Sequence, residues 1–343
     1  MKNKYLYNQK NKTDLINELN KESFKRITCS FYRYVRLDNL SDLRDELFLS
    51  WNKMKILGRI YIAEEGINAQ MSIPKNKLER FKKNLYSYDY FKNMELKLAV
   101  EEGISFLKLT IKIKPEIVAY KVSKEKYNMN VVGKHLDYKK FNEAIDKGAI
   151  TIDMRNYYEG EIGKFDNAII PDVDRSQDLL PEVKKILKNN KNDKILLYCT
   201  GGIRCEKASS YLIKSGFKDV NQLKGGIIQY AHDIKKNNVK SKFLGKNFVF
   251  DKRMGEKITE HVIGNCHQCK DKSDLHQNCN NQACHILFIQ CKKCYKKYNG
   301  CCSNKCKEFN LLPKDQQKKL FKSGKYKFTA QLSDKIKPKL YEL

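Results

Sequence analysis

The sequence contains no run of apolar residues that approaches the ~18 needed to cross a membrane. The first 22 residues, Met1 to Glu22, are polar and rich in lysine and asparagine, with no apolar signal core. We therefore expect a soluble, cytoplasmic protein. Because that compartment is reducing, the twelve cysteines are not expected to form a disulfide framework. They are predicted to be metal ligands or catalytic thiols.

Arginine is scarce, since only ten of the 68 lysine and arginine residues are arginine. Asparagine, isoleucine and tyrosine are abundant as well, a bias expected of an AT-rich genome. The formal charge of +28 and the pI near 9.5 favour a polyanionic partner, most simply nucleic acid. Part of this charge reflects codon bias, so clustered charge indicates more than the total does.

The length of 343 residues predicts two or three domains rather than one core. The hydrophobic fraction of 41% is sufficient to form those cores. Changes in composition divide the chain into five predicted segments: a polar, disordered extension at 1–23, an α+β domain at 24–120, an α/β domain at 131–242, a cysteine-rich region at 243–310 and a basic tail at 311–343.

The segment 24–120 alternates strand-like and helical patterns in a β-α-β-β-α-β order, which predicts a ferredoxin-like fold. The predicted elements are strands at 26–35, 58–63, 67–73, 95–99 and 106–113 and helices at 40–54 and 75–86. Cys29 alternates into the first strand and is interpreted as a core residue. Glu64, Glu65 and Asn68 are interpreted as a polar turn, although they could also form a site.

The most informative stretch of the sequence surrounds Cys199. A short apolar strand, Ile195 to Tyr198, ends at this cysteine, and a helical pattern runs from Glu206 to Lys214. The intervening loop is predicted to turn backbone N–H groups toward the thiol, helped by its two glycines. These groups, the helix N-terminus and the Arg204 guanidinium would stabilise a nucleophilic thiolate. The loop residues are Thr200, Gly201, Gly202, Ile203 and Arg204.

The length of this loop narrows its chemistry. Cysteine phosphatases place five residues between the cysteine and the arginine, whereas four separate Cys199 from Arg204. The smaller ring suits a smaller guest, such as the outer sulfur of a persulfide. The loop resembles that of the rhodanese superfamily, and two flanking segments agree with its pattern: Ile152-Asp-Met-Arg155, followed by Glu159 and Gly163, and Val220-Asn-Gln-Leu-Lys-Gly-Gly226. The alternative is a structural cysteine beside a tight turn.

The segment 131–242 alternates strands with helices, which predicts a parallel sheet with the Cys199 loop at its carboxyl edge. A short helix at 138–147, a strand at 150–153 and a helix at 181–188 precede the strand that ends at Cys199. Asp153 and Arg155 lie one strand over and are predicted to brace the loop through an ion pair. Cys205 is predicted either to pack at the start of the helix or to act as a resolving thiol for Cys199.

Nine of the twelve cysteines fall between Cys266 and Cys306. Cysteines two residues apart can both bind one tetrahedral ion, so this spacing predicts two structural zinc ions. The proposed groups are Cys266, Cys269, Cys291 and Cys294 around one ion, and Cys279, Cys284, Cys302 and Cys306 around the other. An iron–sulfur cluster is the alternative. The histidines that could replace a cysteine ligand are His261, His267, His276 and His285.

The tail beyond Cys306 mixes lysines with aromatic residues, a pattern that can bind phosphates and stack bases. A solvated helix with a frayed end explains the pattern equally well. The aromatic residues are Phe309, Phe321, Tyr326, Phe328 and Tyr341.

Over residues 24–310 the sequence resembles the bacterial YceA-type proteins, the oxygen-dependent tRNA uridine(34) hydroxylases. The segments that carry the resemblance are Phe31-Tyr-Arg-Tyr-Val, Gly58-Arg-Ile-Tyr-Ile-Ala-Glu-Glu-Gly-Ile-Asn-Ala-Gln70, Cys199-Thr-Gly-Gly-Ile-Arg-Cys-Glu-Lys207, His267-Gln-Cys and Phe288-Ile-Gln-Cys291. The resemblance implies hydroxylation of the tRNA wobble uridine at C5, the first step toward 5-carboxymethoxyuridine. It also implies a persulfide intermediate on Cys199.

A nucleophilic sulfur is chemically compatible with this reaction. Addition of sulfur to C6 of uracil would make C5 carbanion-like and able to react with O2 as co-substrate. The sequence has no NAD, flavin or haem motif and no facial triad of two histidines and a carboxylate, which is consistent with a route that uses no such cofactor.

Two other functions remain open from the sequence. A rhodanese-type sulfurtransferase acting through a Cys199 persulfide needs only residues 131–242. A non-enzymatic RNA-binding module would use the basic surface and leave the Cys199 loop without a role. Hydroxylation of tRNA uses every predicted segment.

Overall fold

The computed structural model describes residues 6–173 and 175–324. The strands are β1 Arg26–Tyr34, β2 Leu57–Ala63, β3 Gly66–Pro74, β4 Lys97–Leu98, β5 Leu109–Ile113, β6 Lys134–Leu136, β7 Ile150–Asp153, β8 Gly163–Phe165, β9 Lys194–Tyr198, β10 Asp219–Leu223, β11 Phe243–Asn247, β12 Glu256–Lys257, β13 His276–Asn278 and β14 Leu287–Ile289. The α-helices are α1 Lys12–Asn20, α2 Leu40–Lys53, α3 Leu78–Tyr86, α4 Tyr138–Asp146, α5 Tyr157–Gly160, α6 Ser176–Ile186, α7 Ile203–Lys214, α8 Gly226–Lys236, α9 Lys292–Tyr298, α10 Asn304–Leu311 and α11 Lys314–Lys322.

These elements form two compact units. In the described part of the chain, the first unit comprises the residues up to Asn156, then Asn167–Ser241 and Val249–Arg253. The second comprises Tyr157–Asp166, Lys242–Phe248 and the residues from Met254 onward. Two short segments that precede the cysteine-rich region along the chain therefore fold with it.

The first unit opens with a five-stranded sheet in the order β4-β1-β3-β2-β5. Strands β1, β2, β3 and β4 pair antiparallel, and β5 adds parallel to β2. This arrangement confirms the ferredoxin-like fold. Helices α2 and α3 cover the face that carries Phe31, with Trp51 and Phe81 fully buried in the core. Cys29 lies in the same core, as the alternation of β1 predicted.

A second sheet in this unit is parallel, in the order β6-β10-β9-β7, and forms the predicted α/β architecture. Strand β9 is central, and its residues from Ile195 to Tyr198 are fully buried. Helices α6 and α7 pack against it through an apolar cluster that includes Leu180 and Leu212. This sheet brings Cys199 to the carboxyl end of a buried central strand.

Two local predictions differ from the structure. The extension predicted to be disordered contains α1, which has no buried residue and is capped by the Asn11 side chain bonding Asp14 N at 2.9 Å. Helix α6 begins at Ser176 instead of Pro181, so the proline lies inside the helix. Burial of the apolar residues Leu179, Leu180 and Val183 on one side of α6 outweighs the hydrogen bond that proline cannot make.

The second unit contains the sheet β12-β11-β8 and the hairpin β13-β14. Strand β8 pairs antiparallel with β11, and Gly163 lies so close to Lys246 that a Cβ would be 2.0 Å from its carbonyl oxygen. Helices α9, α10 and α11 follow. Their core includes cysteines together with Phe288 and Phe309.

Within the described residues, no helix is long and apolar enough to span a membrane. The residues of the basic tail from 325 onward, which include Tyr326, Phe328 and Tyr341, lie outside this description.

Candidate functional site

Cys199 lies directly after β9 and is completely buried. Gly202 has a φ of 98°, a left-handed conformation that glycine adopts without strain, and α7 begins at the next residue. The backbone N–H of Gly202 donates to the Cys199 sulfur at 3.2 Å. The loop therefore turns a backbone donor toward the thiol, as its glycines predicted.

The start of α8 holds this loop in place. The backbone N–H groups of Ile227 and Ile228 donate to the carbonyls of Cys199 and Thr200 at 3.0 and 3.1 Å. Gly226 has a φ of 70°, and a Cβ there would lie 2.6 Å from the Cys199 carbonyl oxygen. Only glycine lets α8 approach so closely that both loop carbonyls are satisfied on that side.

The environment of Cys199 favours the thiolate. Burial alone would raise the pKa of Cys199, but hydrogen bonding from Cys205, the charge of Arg204 and backbone N–H groups of both residues lower it to about 6. Cys29 shows the opposite case, because burial and, to a smaller extent, Glu102 raise the pKa of that thiol to about 12. Of these two buried thiols, Cys199 is the one prepared to react.

Cys205 is completely buried on the first turn of α7 and is hydrogen-bonded to Cys199. Burial, and then the hydrogen bond and charge of Cys199, raise the pKa of Cys205 well above its ordinary value. Cys205 therefore keeps its proton and donates it toward the Cys199 thiolate. Its side chain is directed at Cys199, and both roles predicted from the sequence, packing at the start of the helix and resolving an oxidised Cys199, remain predictions.

The ferredoxin-like domain supplies further partners for the loop. Lys97 Nζ donates to the Gly201 carbonyl at 2.6 Å, and the Tyr34 hydroxyl donates to the Ile203 carbonyl at 3.2 Å. Two side chains of the loop also bond each other, since Arg204 Nη2 donates to Thr200 Oγ1 at 3.2 Å. The Tyr120 hydroxyl, from the segment that follows the domain, donates to the Arg204 carbonyl at 3.1 Å. The loop is thus held by residues distant in sequence.

Tyr32, also in the ferredoxin-like domain, contacts both Lys97 and Glu206 on α7. Its hydroxyl donates to Glu206 at 3.1 Å, and Lys97 Nζ lies 4.4 Å from the centre of its ring. Glu206 also bonds His135 at 2.9 Å and Gln222 at 3.1 Å. Burial tends to raise the pKa of Glu206, but these hydrogen bonds outweigh it and lower the pKa. A charged carboxylate therefore fixes the first turn of α7.

A buried lysine joins the same two domains. Lys207 is fully buried and forms ion pairs with Glu65 at 2.8 Å and Glu116 at 2.9 Å. Burial lowers the pKa of Lys207, but the bonds to these carboxylates, Glu65 first, outweigh it and raise the pKa. Glu65, interpreted from sequence as part of a polar turn, is therefore a partner of α7.

Asp153 and Arg155 form a fully buried ion pair at 2.6 Å. The Tyr198 hydroxyl donates to Asp153 at 2.8 Å, and the Met154 N–H donates to the Tyr198 carbonyl at 2.8 Å. This network fixes the residue that immediately precedes Cys199. The described contacts place the pair beneath the end of β9.

The sequence did not reveal the contribution of Tyr32, Tyr34 and Lys97. Tyr32 and Tyr34 alternate with the core residue Phe31, so their spacing indicates one shared face of β1 but not what that face contacts. Lys97 pairs with β1 at Ser30, on that same face. The one feature of the sequence that could have indicated this contact is the presence of two tyrosines on the face of β1 opposite the core.

In the second unit, eight cysteines form two groups of four, with all four sulfurs of each group within 4.8 Å of one another. The first group is Cys266, Cys269, Cys291 and Cys294, and the second is Cys279, Cys284, Cys302 and Cys306. The grouping chosen from sequence spacing matches both. Cys301 is fully buried but belongs to neither group.

The two groups fit one metal ion each. A tetrahedral ion with bonds of about 2.3 Å to sulfur places its ligand sulfurs about 3.8 Å apart. The Cys269–Cys291 sulfur distance is 3.5 Å, and Cys302 lies 3.7 Å from Cys284 and 3.6 Å from Cys306. An iron–sulfur cluster inserted between the thiolates would hold the sulfurs further apart. Compact four-thiolate sites therefore favour single ions.

The four candidate histidines lie outside both four-cysteine groups. His267 is buried, with Nε2 3.0 Å from Glu161, and His276 packs edge-on against Phe248 with ring centres 5.1 Å apart. His261 and His285 are exposed.

A parallel sheet that ends in a buried, low-pKa cysteine within a six-residue loop defines a rhodanese-domain protein. Family models agree: "Rhodanese-like domain" matches residues 137–233, "UPF0176 acylphosphatase like domain" 26–117 and "Rhodanase C-terminal" 244–307. The chain belongs to the tRNA uridine(34) hydroxylase family.

Membership rests on relatives that match along nearly their whole length. The tRNA uridine(34) hydroxylase of Leptospira interrogans is 49% identical over 100% of this chain and 94% of its own. The proteins of that name from Hamiltonella defensa and Photorhabdus laumondii are 45% and 43% identical, over 91% of this chain and 89% and 90% of theirs.

Proposed function

We propose that this protein hydroxylates C5 of uridine 34 in tRNA, with O2 as co-substrate, and yields 5-hydroxyuridine for the synthesis of 5-carboxymethoxyuridine. The observation that carries the proposal is the full-length relationship, at 49% identity, to a tRNA uridine(34) hydroxylase. Such a substrate also agrees with the charge of +28, and the proposed location is the cytoplasm.

Cys199 is the proposed nucleophile, as its own thiolate or as the outer sulfur of a persulfide. Sulfur adds to C6 of the uracil, and the electron pair of the C5=C6 bond moves to C5, which then reacts with O2. One oxygen atom stays on C5. A thiol reductant supplies the two electrons and two protons that convert the other oxygen to water, and loss of sulfur from C6 and the proton from C5 restores the double bond.

The surrounding residues have proposed roles that follow from their contacts. Arg204 and the backbone donors at Gly202, Arg204 and Cys205 hold the anionic sulfur. Thr200 and Gly201 complete the loop, Ile203 begins the helix that follows it, and Asp153 and Arg155 brace the end of β9. Cys205, which keeps its proton beside Cys199, is placed to resolve an oxidised sulfur on that residue.

Tyr32 and Lys97 are proposed positioning residues because they fix Glu206 and the Gly201 carbonyl, respectively. This contact of the ferredoxin-like domain with the loop also separates hydroxylation from simple sulfur transfer. A rhodanese-type sulfurtransferase needs the Cys199 loop but does not need a ferredoxin-like domain in contact with that loop. A non-enzymatic RNA-binding module needs no cysteine with a pKa of about 6.

Zinc is the proposed metal in both four-cysteine sites because it prefers tetrahedral thiolate coordination. Its role is structural, and no step of the reaction passes through it. The cysteines would hold hairpin β13-β14 and helices α9 and α10 in a segment with few other core residues.

The function is tested by mass spectrometry of tRNA nucleosides from cells with and without the gene. Loss of 5-hydroxyuridine and its derivatives from position 34, with restoration by the intact gene, is the expected result. Unchanged position-34 modification, in cells with no second enzyme for that step, would contradict the proposal.

A further inference from the structure

Helix α9 carries a concentrated positive charge. Lys292, Lys293, Lys296 and Lys297 are all exposed on this seven-residue helix. We call these four side chains the lysine face. Residues 292–307 contain six lysines and no aspartate or glutamate. Clustered charge of this kind indicates more about a partner than the total charge of the chain does.

The helix also presents aromatic side chains beside its lysines. Tyr295 is 45% exposed, and Lys297 Nζ lies 5.3 Å from the centre of the Tyr298 ring. Lysine ammonium groups bind phosphates as point charges, and tyrosine rings can stack on unpaired bases. The face therefore has the chemical groups that a nucleic acid backbone requires.

The two cysteine sites hold this short helix at both ends. Cys291 caps it, with its sulfur accepting from the Cys294 N–H at 3.5 Å, and both cysteines belong to the first group. Beyond the helix, the Gln268 side chain donates to the carbonyls of Cys301 and Cys302 at 3.1 and 3.0 Å. Cys302 belongs to the second group. A helix too short to persist alone is thus fixed between two metal sites.

Repulsion between the lysines of this face destabilises α9. Lys292 and Lys296, and likewise Lys293 and Lys297, are four residues apart, a spacing at which like charges repel. Among residues 6–173 and 175–324, the one ion pair of the face joins Lys293 to Asp271 at 4.0 Å, and both side chains are exposed. Apart from this pair and the Lys297–Tyr298 ring contact, the lysines gain little from the described residues, so a negative partner outside the protein explains their arrangement.

We propose that the lysine face binds phosphates of the tRNA substrate outside the reacting nucleotide, on a helix held rigid by the metal sites. This proposal rests on the proposed function and identifies a surface that binds the tRNA backbone. Four charges on a fixed helix match the regular negative charge of a tRNA backbone.

A competing explanation is internal. Four thiolates around a divalent ion carry a net charge of about −2, which nearby lysines would partly neutralise. In that case removal of the lysines lowers metal affinity and leaves tRNA binding unchanged at full metal content.

The test replaces all four lysines by glutamine (Lys292→Gln, Lys293→Gln, Lys296→Gln, Lys297→Gln) in the full chain. A matched control carries Lys184→Gln, Lys185→Gln, Lys188→Gln and Lys191→Gln, which remove the same charge from exposed positions in and after α6. Binding of full-length tRNA is measured over a salt series, and metal content is measured on the same samples.

We expect the lysine-face variant to retain its metal, to bind at least about tenfold more weakly near 0.1 M salt and to lose about two to three units of log–log salt slope relative to the control. Equal affinity and slope in the two variants at full metal content would overturn the proposal. Loss of metal with unchanged tRNA binding of the metal-reloaded protein would assign the lysines to charge neutralisation and overturn it as well.

The parent protein separates this proposal from the proposed function. If the parent hydroxylates uridine 34 and the two variants bind tRNA alike, the lysine-face proposal is wrong and the function stands. If the parent binds tRNA through the lysine face but forms no 5-hydroxyuridine with O2 and a thiol reductant, the proposed function fails.

Discussion

At the scale of single residues, burial alone does not determine what a cysteine can do. Cys29 and Cys199 are both buried, yet the pKa of the first is about 12 and that of the second about 6. Cys29 has an apolar strand environment, whereas Cys199 receives hydrogen bonds from Cys205 and the loop and the charge of Arg204. Directed donors and a nearby cation therefore make the difference.

The Cys199 thiol should titrate near pH 6 in the folded protein. Because its pKa lies below the ordinary value, the reactive thiolate predominates at pH 7 and is lost as the pH falls through 6. The carbon-13 shift of its Cβ, assigned by comparison with Cys199→Ser, measures this directly. The Cys29 signal in the same samples should stay constant from pH 5 to pH 8, and a Cys199 midpoint above 8 would contradict the proposed stabilisation of its thiolate by Arg204, Cys205 and the loop N–H groups.

Lys97→Met should reduce hydroxylation by at least about tenfold, because the Gly201 carbonyl loses its 2.6 Å donor and the site loses a cation near the sulfur. The Cys199 pKa should rise, and Lys97→Arg should restore part of both properties. Lys112→Met, at an exposed position of the same sheet, is the control. Steady-state rates and the Cys199 titration are the measurements, and an unchanged titration midpoint in Lys97→Met would contradict an electrostatic effect of Lys97 on the Cys199 thiol.

At the scale of elements, the start of α8 matters as much as the Cys199 loop itself. Gly226→Ala would force a Cβ to within 2.6 Å of the Cys199 carbonyl at a positive φ, so the loop must shift. Gly148→Ala places the same strain, of about 1–2 kcal/mol, at a φ of 80° with no atom within 4 Å. Because Gly226→Ala adds this clash to the backbone strain that both variants share, we expect it to lose more stability than Gly148→Ala and to lose much more hydroxylation, measured at a temperature where both variants are folded. Equal activities of the two variants would contradict the role of α8.

The metal sites offer a comparison between adjacent cysteines. Cys302→Ser removes a ligand and should lower the zinc content from about two equivalents to about one, whereas Cys301→Ser should leave both ions bound. Elemental analysis and hydrogen exchange are the measurements. Full chelation should increase exchange in residues 254–324 but not around Cys199. Equal zinc content in the two serine variants would show that the groups are assigned wrongly.

Local patterns were sufficient to predict some elements but not others. The spacing of Cys291 and Cys294 reveals ligands because a short turn brings both sulfurs to one ion. The strand and turn around Cys199 are equally local. By contrast, β8 pairs with β11, which lies about 80 residues later in the chain. No property of Gly163–Phe165 identifies that partner.

At the scale of the molecule, the ferredoxin-like domain contacts the Cys199 loop of the rhodanese domain. Tyr32, Tyr34 and Lys97 contact the Cys199 loop or the helix that follows it, and Lys207 is paired with Glu65. These contacts join residues more than 100 positions apart, so sequence periodicity could assign each domain its fold but could not reveal that the two domains meet at the Cys199 loop. We therefore predict that hydroxylation requires both domains, whereas sulfur transfer would require one.

We propose above all that the sulfur on Cys199 carries out the hydroxylation. The most direct measurement supplies purified protein, unmodified tRNA, a thiol reductant and oxygen-18 gas, and analyses uridine 34 by mass spectrometry. The intact protein should form 5-hydroxyuridine that contains one oxygen-18 atom, and Cys199→Ala should form none while binding tRNA normally. Full hydroxylation by Cys199→Ala, or product without the heavy oxygen, would contradict the account.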